Sequence, residues 1–197
     1  MDARAAIEQA KAHGDRAFFE RALDETRGVK ALLQTLQSLG RLPTDFDPAP
    51  LMRLATHPHD EVRTAAVKAL ARLENLALLP FYRERLAQEQ ATLVRRELAS
   101  AVGRLRAPEA IPTLTDLLHD PDPKVVLQAI RGLLCFDGLA AVQDALRELA
   151  THPNELIRHA VRRALAPRQL THSTRGIPVG AGVAGGAPLL VQGRLGV

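Results

Sequence analysis

Cationic side chains recur at fixed intervals along this 197-residue chain. Lys68, Arg131 and Arg163 each stand six residues after an aliphatic residue: Val62, Val125 and Ile157. Arg72 and Arg104 stand ten after Val62 and Val94, and Arg96 stands two after Val94. Cations held at fixed spacing make charge-assisted hydrogen bonds to carboxylates or phosphates, and arginine does so through a planar fork. These six residues are the candidate partner-binding set. Other groups suggest less. His57, His119 and His152 recur near turns, and His57-x-His59 has a spacing a metal ion uses, yet no carboxylate cluster completes a site. Ser100 and Cys135 have no base beside them in sequence. The glycines near the end precede no helix, as a phosphate-cradling loop would require. No catalytic residue, cofactor or metal is expected.

The elements that carry these cations repeat. Val62, Val94, Val125 and Ile157 are spaced 32, 31 and 32 apart. Eight residues before each anchor stands Leu54, Leu86, Leu117 or Leu149. Four after stands Ala66, Leu98, Ala129 or Val161, and eight after stands Leu70, Val102, Leu133 or Leu165. Offsets of four and eight lay one apolar stripe along a helix of 3.6 residues per turn. Each unit therefore reads as two helices, the second starting near the anchor, with a turn at Pro58, Pro121 or Pro153. Asp60, Thr92, Asp122 and Asn154 are cap-type residues for the second helices, and Pro123 suits a first helical position. Leu117 is expected in the core. Both offsets that carry cations turn away from the stripe, towards solvent. The fold class that follows is all-α: an α-solenoid of stacked antiparallel helix pairs, an α-α superhelix.

The residues "AIPTLTDLLHDPDPKVVLQAIRGLL", Ala110 to Leu134, closely resemble the HEAT repeat, above all the short bacterial variety of the phycobilisome lyases. The resemblance covers residues 51–166 as four helix pairs, and "RGVKALLQTLQSLG" (27–40) resembles a degenerate extra unit in which Gly28 takes the anchor's place. It implies that the second helices line the concave surface. Their basic residues far outnumber their acids: Glu97 is the sole carboxylate over 62–73, 94–106, 125–136 and 157–168. The first helices balance Arg53, Arg83, Arg85 and Arg147 against Glu84, Glu109, Asp116, Asp144 and Glu148. The implied inner face is basic. The family pattern also places an acid six residues before a basic residue at each inter-helix turn. Here the pairs would be His57–Arg63, Glu89–Arg95, Asp120–Val126 and His152–Arg158, only one of them intact, so no full ladder is expected.

HEAT architecture hosts a few enzymes. The alkylpurine DNA glycosylases of this architecture use aromatic groups and a carboxylate on the concave face. This chain has no Trp, and its one Tyr, Tyr82, falls on a first helix. Deoxyhypusine hydroxylase binds iron with His–Glu pairs, and no His here precedes Glu. No residue offers to carry the bilin attachment of the lyases. The expected function is a non-enzymatic HEAT-repeat scaffold or adaptor that presents a curved basic surface to a protein partner with an acidic surface. The alternative is a solenoid that contacts duplex nucleic acid through its phosphates. Scarce aromatics, 3% of residues, count against single strands, which are bound by stacking.

Composition agrees with this organisation. Apolar residues make up 46%, many of them Ala and Leu, and no stretch alternates for long as a strand would. The single cysteine, Cys135, allows no internal disulfide. Set among Leu133, Leu134 and Phe136, it reads as a buried thiol of a reducing compartment. No secretory signal or membrane span is expected, and the location is cytoplasmic. The net charge of +4 only hints at acidic partners. Residues 1–40 read as N-terminal helices with the degenerate repeat and 41–50 as a Pro-rich connector. Residues 167–197, with glycines and no acid, read as a disordered or loosely docked tail. Without that tail the last repeat would expose an apolar side, whereas solenoid ends need polar caps. The sequence leaves the partner's identity and the oligomeric state open.

Overall fold

A computed structural model describes residues 3–24, 27–43 and 45–166. The tail 167–197 lies outside the described residues. Three helices come first: α1 (Ala3–His13), α2 (Arg16–Ala22) and α3 (Val29–Ser38). Four pairs follow: α4 (Ala49–Leu54) with α5 (Asp60–Leu70), α6 (Leu79–Gln88) with α7 (Thr92–Arg104), α8 (Ile111–Asp116) with α9 (Pro123–Leu133), and α10 (Ala140–Glu148) with α11 (Glu155–Leu165). No strand occurs among the described residues. Each first helix packs on its own second helix, and α3, α5, α7, α9 and α11 pack in series as one continuous layer. This is an α-solenoid.

The apolar columns form the core. Val62, Val94, Val125 and Ile157 are wholly buried, as are Ala66, Leu98, Ala129 and Val161. Leu70, Val102 and Leu133 are buried too, and so are Leu54, Leu117 and Leu149. Leu86 departs from its column and is half-buried. Tyr82, one helical turn earlier, is buried. Upstream, α3 buries Leu32 and Leu36 and sits against α5 much as α5 sits against α7. Phe46 pins the connector by its edge-to-face contact with Phe19, centroids 5.1 Å apart. The Asp47 side chain accepts from the Ala49 N–H at the start of α4.

The turns correct two expectations. Asp122 and Asn154 do cap, accepting from Lys124 N–H at 2.7 Å and Leu156 N–H at 2.9 Å. Asp60 and Thr92, however, are already the first residues of α5 and α7. The residue five before each anchor holds the turn in every repeat. His57 Nδ1 accepts from His59 N–H (3.1 Å) and Glu89 Oε1 from Ala91 N–H (2.9 Å). Asp120 Oδ1 accepts from Asp122 N–H (2.8 Å) and His152 Nδ1 from Asn154 N–H (3.0 Å). Three of these four residues precede proline, which favours extended backbone and lets the side chain fold over the next amides.

The basic–acidic pairs run between repeats rather than within a turn. Arg63 Nε and Nη2 clasp Glu89 of the following repeat at 2.8 and 2.9 Å. Arg95 does the same to Asp120 at 2.9 and 3.2 Å. Stacked helices lie roughly 10 Å apart, a gap an extended arginine spans. Both carboxylates are buried. Burial works against ionisation of Glu89. The hydrogen bonds from Arg63 and Ala91 N–H, with the charges of Arg63 and Arg85, outweigh it and hold the carboxyl below its ordinary range. The hydrogen bond to Asp120 likewise raises the Arg95 guanidinium. The next position along is Val126, and the residue it would have met is His152, which carries no carboxylate.

Two glycines let α7 and α9 approach closely. A Cβ added to Gly132 of α9 would lie 3.0 Å from Gly103 Cα of α7 and 2.9 Å from a Leu114 methyl. At the far end, Arg162 is exposed at the position where Val67, Ala99 and Ile130 are buried in earlier repeats. This position of the last repeat is therefore polar where the inner repeats are apolar.

Candidate partner-binding surface

The outward side of the second-helix layer carries the predicted cations. Lys68, Arg104, Arg131 and Arg163 are exposed. None of the four forms an ion pair or side-chain hydrogen bond among the described residues. Arg72 and Arg96 are half-buried and engaged: Arg72 Nη1 donates to the Gly40 carbonyl at 2.9 Å, and Arg96 Nη2 to Glu97 at 3.1 Å. These two brace the surface more than they offer charge. By contrast, Arg63, Arg95 and Arg53 all hold carboxylates.

Apolar surface lies beside the free cations. Between α9 and α11 runs a trough of about 410 Å³. Leu127, Ile130 and Leu134 form one wall, and Leu156, Ala160 and Ala164 the other, with Arg131, Arg163 and His159 at the rim. Leu156 is 66% exposed, and Leu93, at the equivalent position of α7, is 49% exposed. The cation pattern alone does not disclose this trough. Its signal is Leu127, two after the anchor where the other repeats hold Thr64, Arg96 and His159, together with Leu156 one before the anchor, where Leu93 is apolar too. A larger cavity, about 520 Å³, opens beside α1, α2 and the connector. Lys11 and Arg16 line it together with Glu20, Asp45 and Asp47, so it favours no one charge class.

Cys135 is exposed, not buried. It stands ten after Val125, the position that points Arg72 and Arg104 outward, and this register overrides its apolar neighbours in sequence. Tyr82 is buried within the core, and burial pushes its phenol well above the usual value. Glu97 is tied to Arg96. His57 and His152 are occupied in holding their turns, and His119, one position out of register with them, is exposed. Among the described residues no three His, Cys, Asp or Glu side chains gather to hold a metal ion. No helix among them is long and apolar enough to cross a membrane.

Sequence models of this repeat match the chain: one described as HEAT repeats over residues 79–166 and a single HEAT repeat over residues 49–75. The chain belongs to the HEAT-repeat family. No curated protein matches it in sequence. Among solved structures, this HEAT-repeat chain is similar to a designed armadillo repeat protein in complex with the peptide (KR)4. That protein has a TM-score of 0.55 and 18% identity, over 81% of this chain and 85% of that one. An engineered protein is similar at a TM-score of 0.56 and 20% identity, over 82% of each chain. A computationally designed armadillo repeat protein for modular peptide recognition reaches 0.51 at 19% identity, over 81% and 84%. These likenesses establish the HEAT/armadillo repeat fold.

Proposed function

We propose that this HEAT-repeat protein is a non-enzymatic cytoplasmic adaptor that binds an acidic segment of a protein partner along its second helices. The observation that carries this reading is the contrast among its cations. Lys68, Arg104, Arg131 and Arg163 stand exposed without a carboxylate, whereas Arg63 and Arg95, between repeats, are matched. Arg72 and Arg96 frame the same surface. The implied concave curvature would bring these charges to bear on one bound segment. Charge steers the segment in, and the α9–α11 trough takes an apolar side chain from it, since a dry anchor contributes more than rim charges. The matched solved structures include a complex with a basic peptide; the reversed charge here calls for an acidic one.

The test is fluorescence anisotropy with a labelled peptide of glutamates around one central leucine. Reversing charge at Lys68, Arg104, Arg131 and Arg163 should weaken binding at least about tenfold, or about 1.4 kcal/mol, with helical circular dichroism unchanged. Unchanged affinity in that variant would reject the reading. Tighter binding to a DNA duplex, with a log–log salt slope of about −3.6 for four phosphate contacts, would replace the protein partner with nucleic acid.

A further inference from the structure

Three of the four second helices place arginine directly after the anchor. Arg63 donates Nη1 to its own turn, to the carbonyls of His57 (2.9 Å) and Pro58 (2.8 Å). Its Nε–Nη2 edge then clasps Glu89 of the next repeat. Arg95 repeats the device, with Nη1 on the Gln90 carbonyl and the other edge on Asp120. Arg158 completes only the first half. Its Nη1 donates to the carbonyls of His152 (2.7 Å) and Pro153 (2.8 Å), matching Arg63. Its Nε and Nη2 donate to nothing among the described residues, and neither is a buried unsatisfied atom. One turn on from half-buried Arg158, Arg162 adds an exposed cation.

We propose that this side of α11 is a docking surface for an acidic turn of a protein partner, whose carboxylate takes the Nε–Nη2 edge of Arg158. The two sister arginines show what the edge accepts: a carboxylate held by two parallel hydrogen bonds. The turn carbonyls fix the guanidinium in advance, so less side-chain freedom is lost on binding. The chain's own residues beyond Ala166 include no Asp or Glu, so they supply no side-chain carboxylate. A second copy cannot stack through its first helix pair, whose α5 is already flanked by α3 and α7. A different protein with an acidic turn fits the surface better than either. The site is separate from the α9–α11 trough and does not depend on it.

Nitrogen-15 NMR of the arginine Nε–H signals in the full chain tests this at constant ionic strength. The probes are glutarate, uncharged glutaramide and inorganic phosphate. The Arg158 signal should move with a glutarate midpoint at least about threefold below those of Arg104 and Arg131, the gain expected of a pre-positioned fork. Glutaramide should leave it in place, and the Arg63 and Arg95 signals should stay still because their carboxylates are already seated. A midpoint less than threefold lower would show Arg158 to be an ordinary surface cation and overturn the proposal. Movement at lower phosphate than glutarate would overturn it in favour of a phosphorylated or nucleic-acid ligand.

Discussion

The α7–α9 and α9–α11 interfaces are built from equivalent positions and come out differently. In the first, Gly103 and Gly132 let two backbones nearly touch, and Arg95 and Asp120 lock the turns across the gap. In the second, the matching positions hold Leu134 and Ala164, and the matching pair is Val126 and His152. No ion pair crosses there, the helices pack less closely, and the trough opens between them. A sealed joint and an open trough thus differ by a few side chains on one scaffold. Small residues decide how near the backbones come, and what fills the gap decides whether a partner has somewhere to go.

The largest expected effect breaks the ion pair at the sealed joint. Asp120→Ala strands a part-buried guanidinium and should cost about 3–5 kcal/mol in urea unfolding. His152→Ala, at the same position of the next repeat, loses only a turn bond and should cost about 0.5–2 kcal/mol. Equal costs would dissolve the distinction. Next comes the backbone approach. Gly132→Val should destabilise by about 1–3 kcal/mol through overpacking, whereas Ala164→Val, its counterpart at the trough, should stay within about 0.5 kcal/mol.

Hydrogen exchange should follow the same asymmetry. Amides of α11 should open at least about tenfold more often than those of α7, a difference of about 1.4 kcal/mol, because a terminal repeat has one neighbour. The smallest effect is in pH dependence. The Glu89 carboxyl is held below its ordinary range in the folded state. Its stabilising contribution is therefore complete above the unfolded carboxylate pKa, about 4.3, and is lost as pH falls through the folded value. Glu89→Gln should lower stability at neutral pH and flatten the acid limb of the unfolding curve.

The repeat was legible because burial is periodic: a residue that must face the core every 31 or 32 positions leaves a column. The anchors and the residues four after them are all fully buried. What the columns do not reveal is which neighbour a long side chain reaches. The spacing of six suggested acid and arginine within one turn, but Arg63 finds Glu89 and Arg95 finds Asp120, 26 and 25 positions on. A trace of this was present, since the repeat that lacks arginine, at Val126, is followed by the turn that lacks an acid, at His152. Cys135 misled because local apolar neighbours outweighed its register. The exposed cations followed from their offsets, but the trough did not, because it depends on how far two helices stand apart.

Because each inner arginine answers to a carboxylate in the following unit, the repeats are not interchangeable modules. Moving the third pair forward would bring Arg63 against Asp120 but leave Val126 facing Glu89. Moving the last pair inward would confront a guanidinium with His152. The linear order of the units is thus written into their edges like teeth on a key, and shuffling them should yield chains with the right helices and mismatched seams.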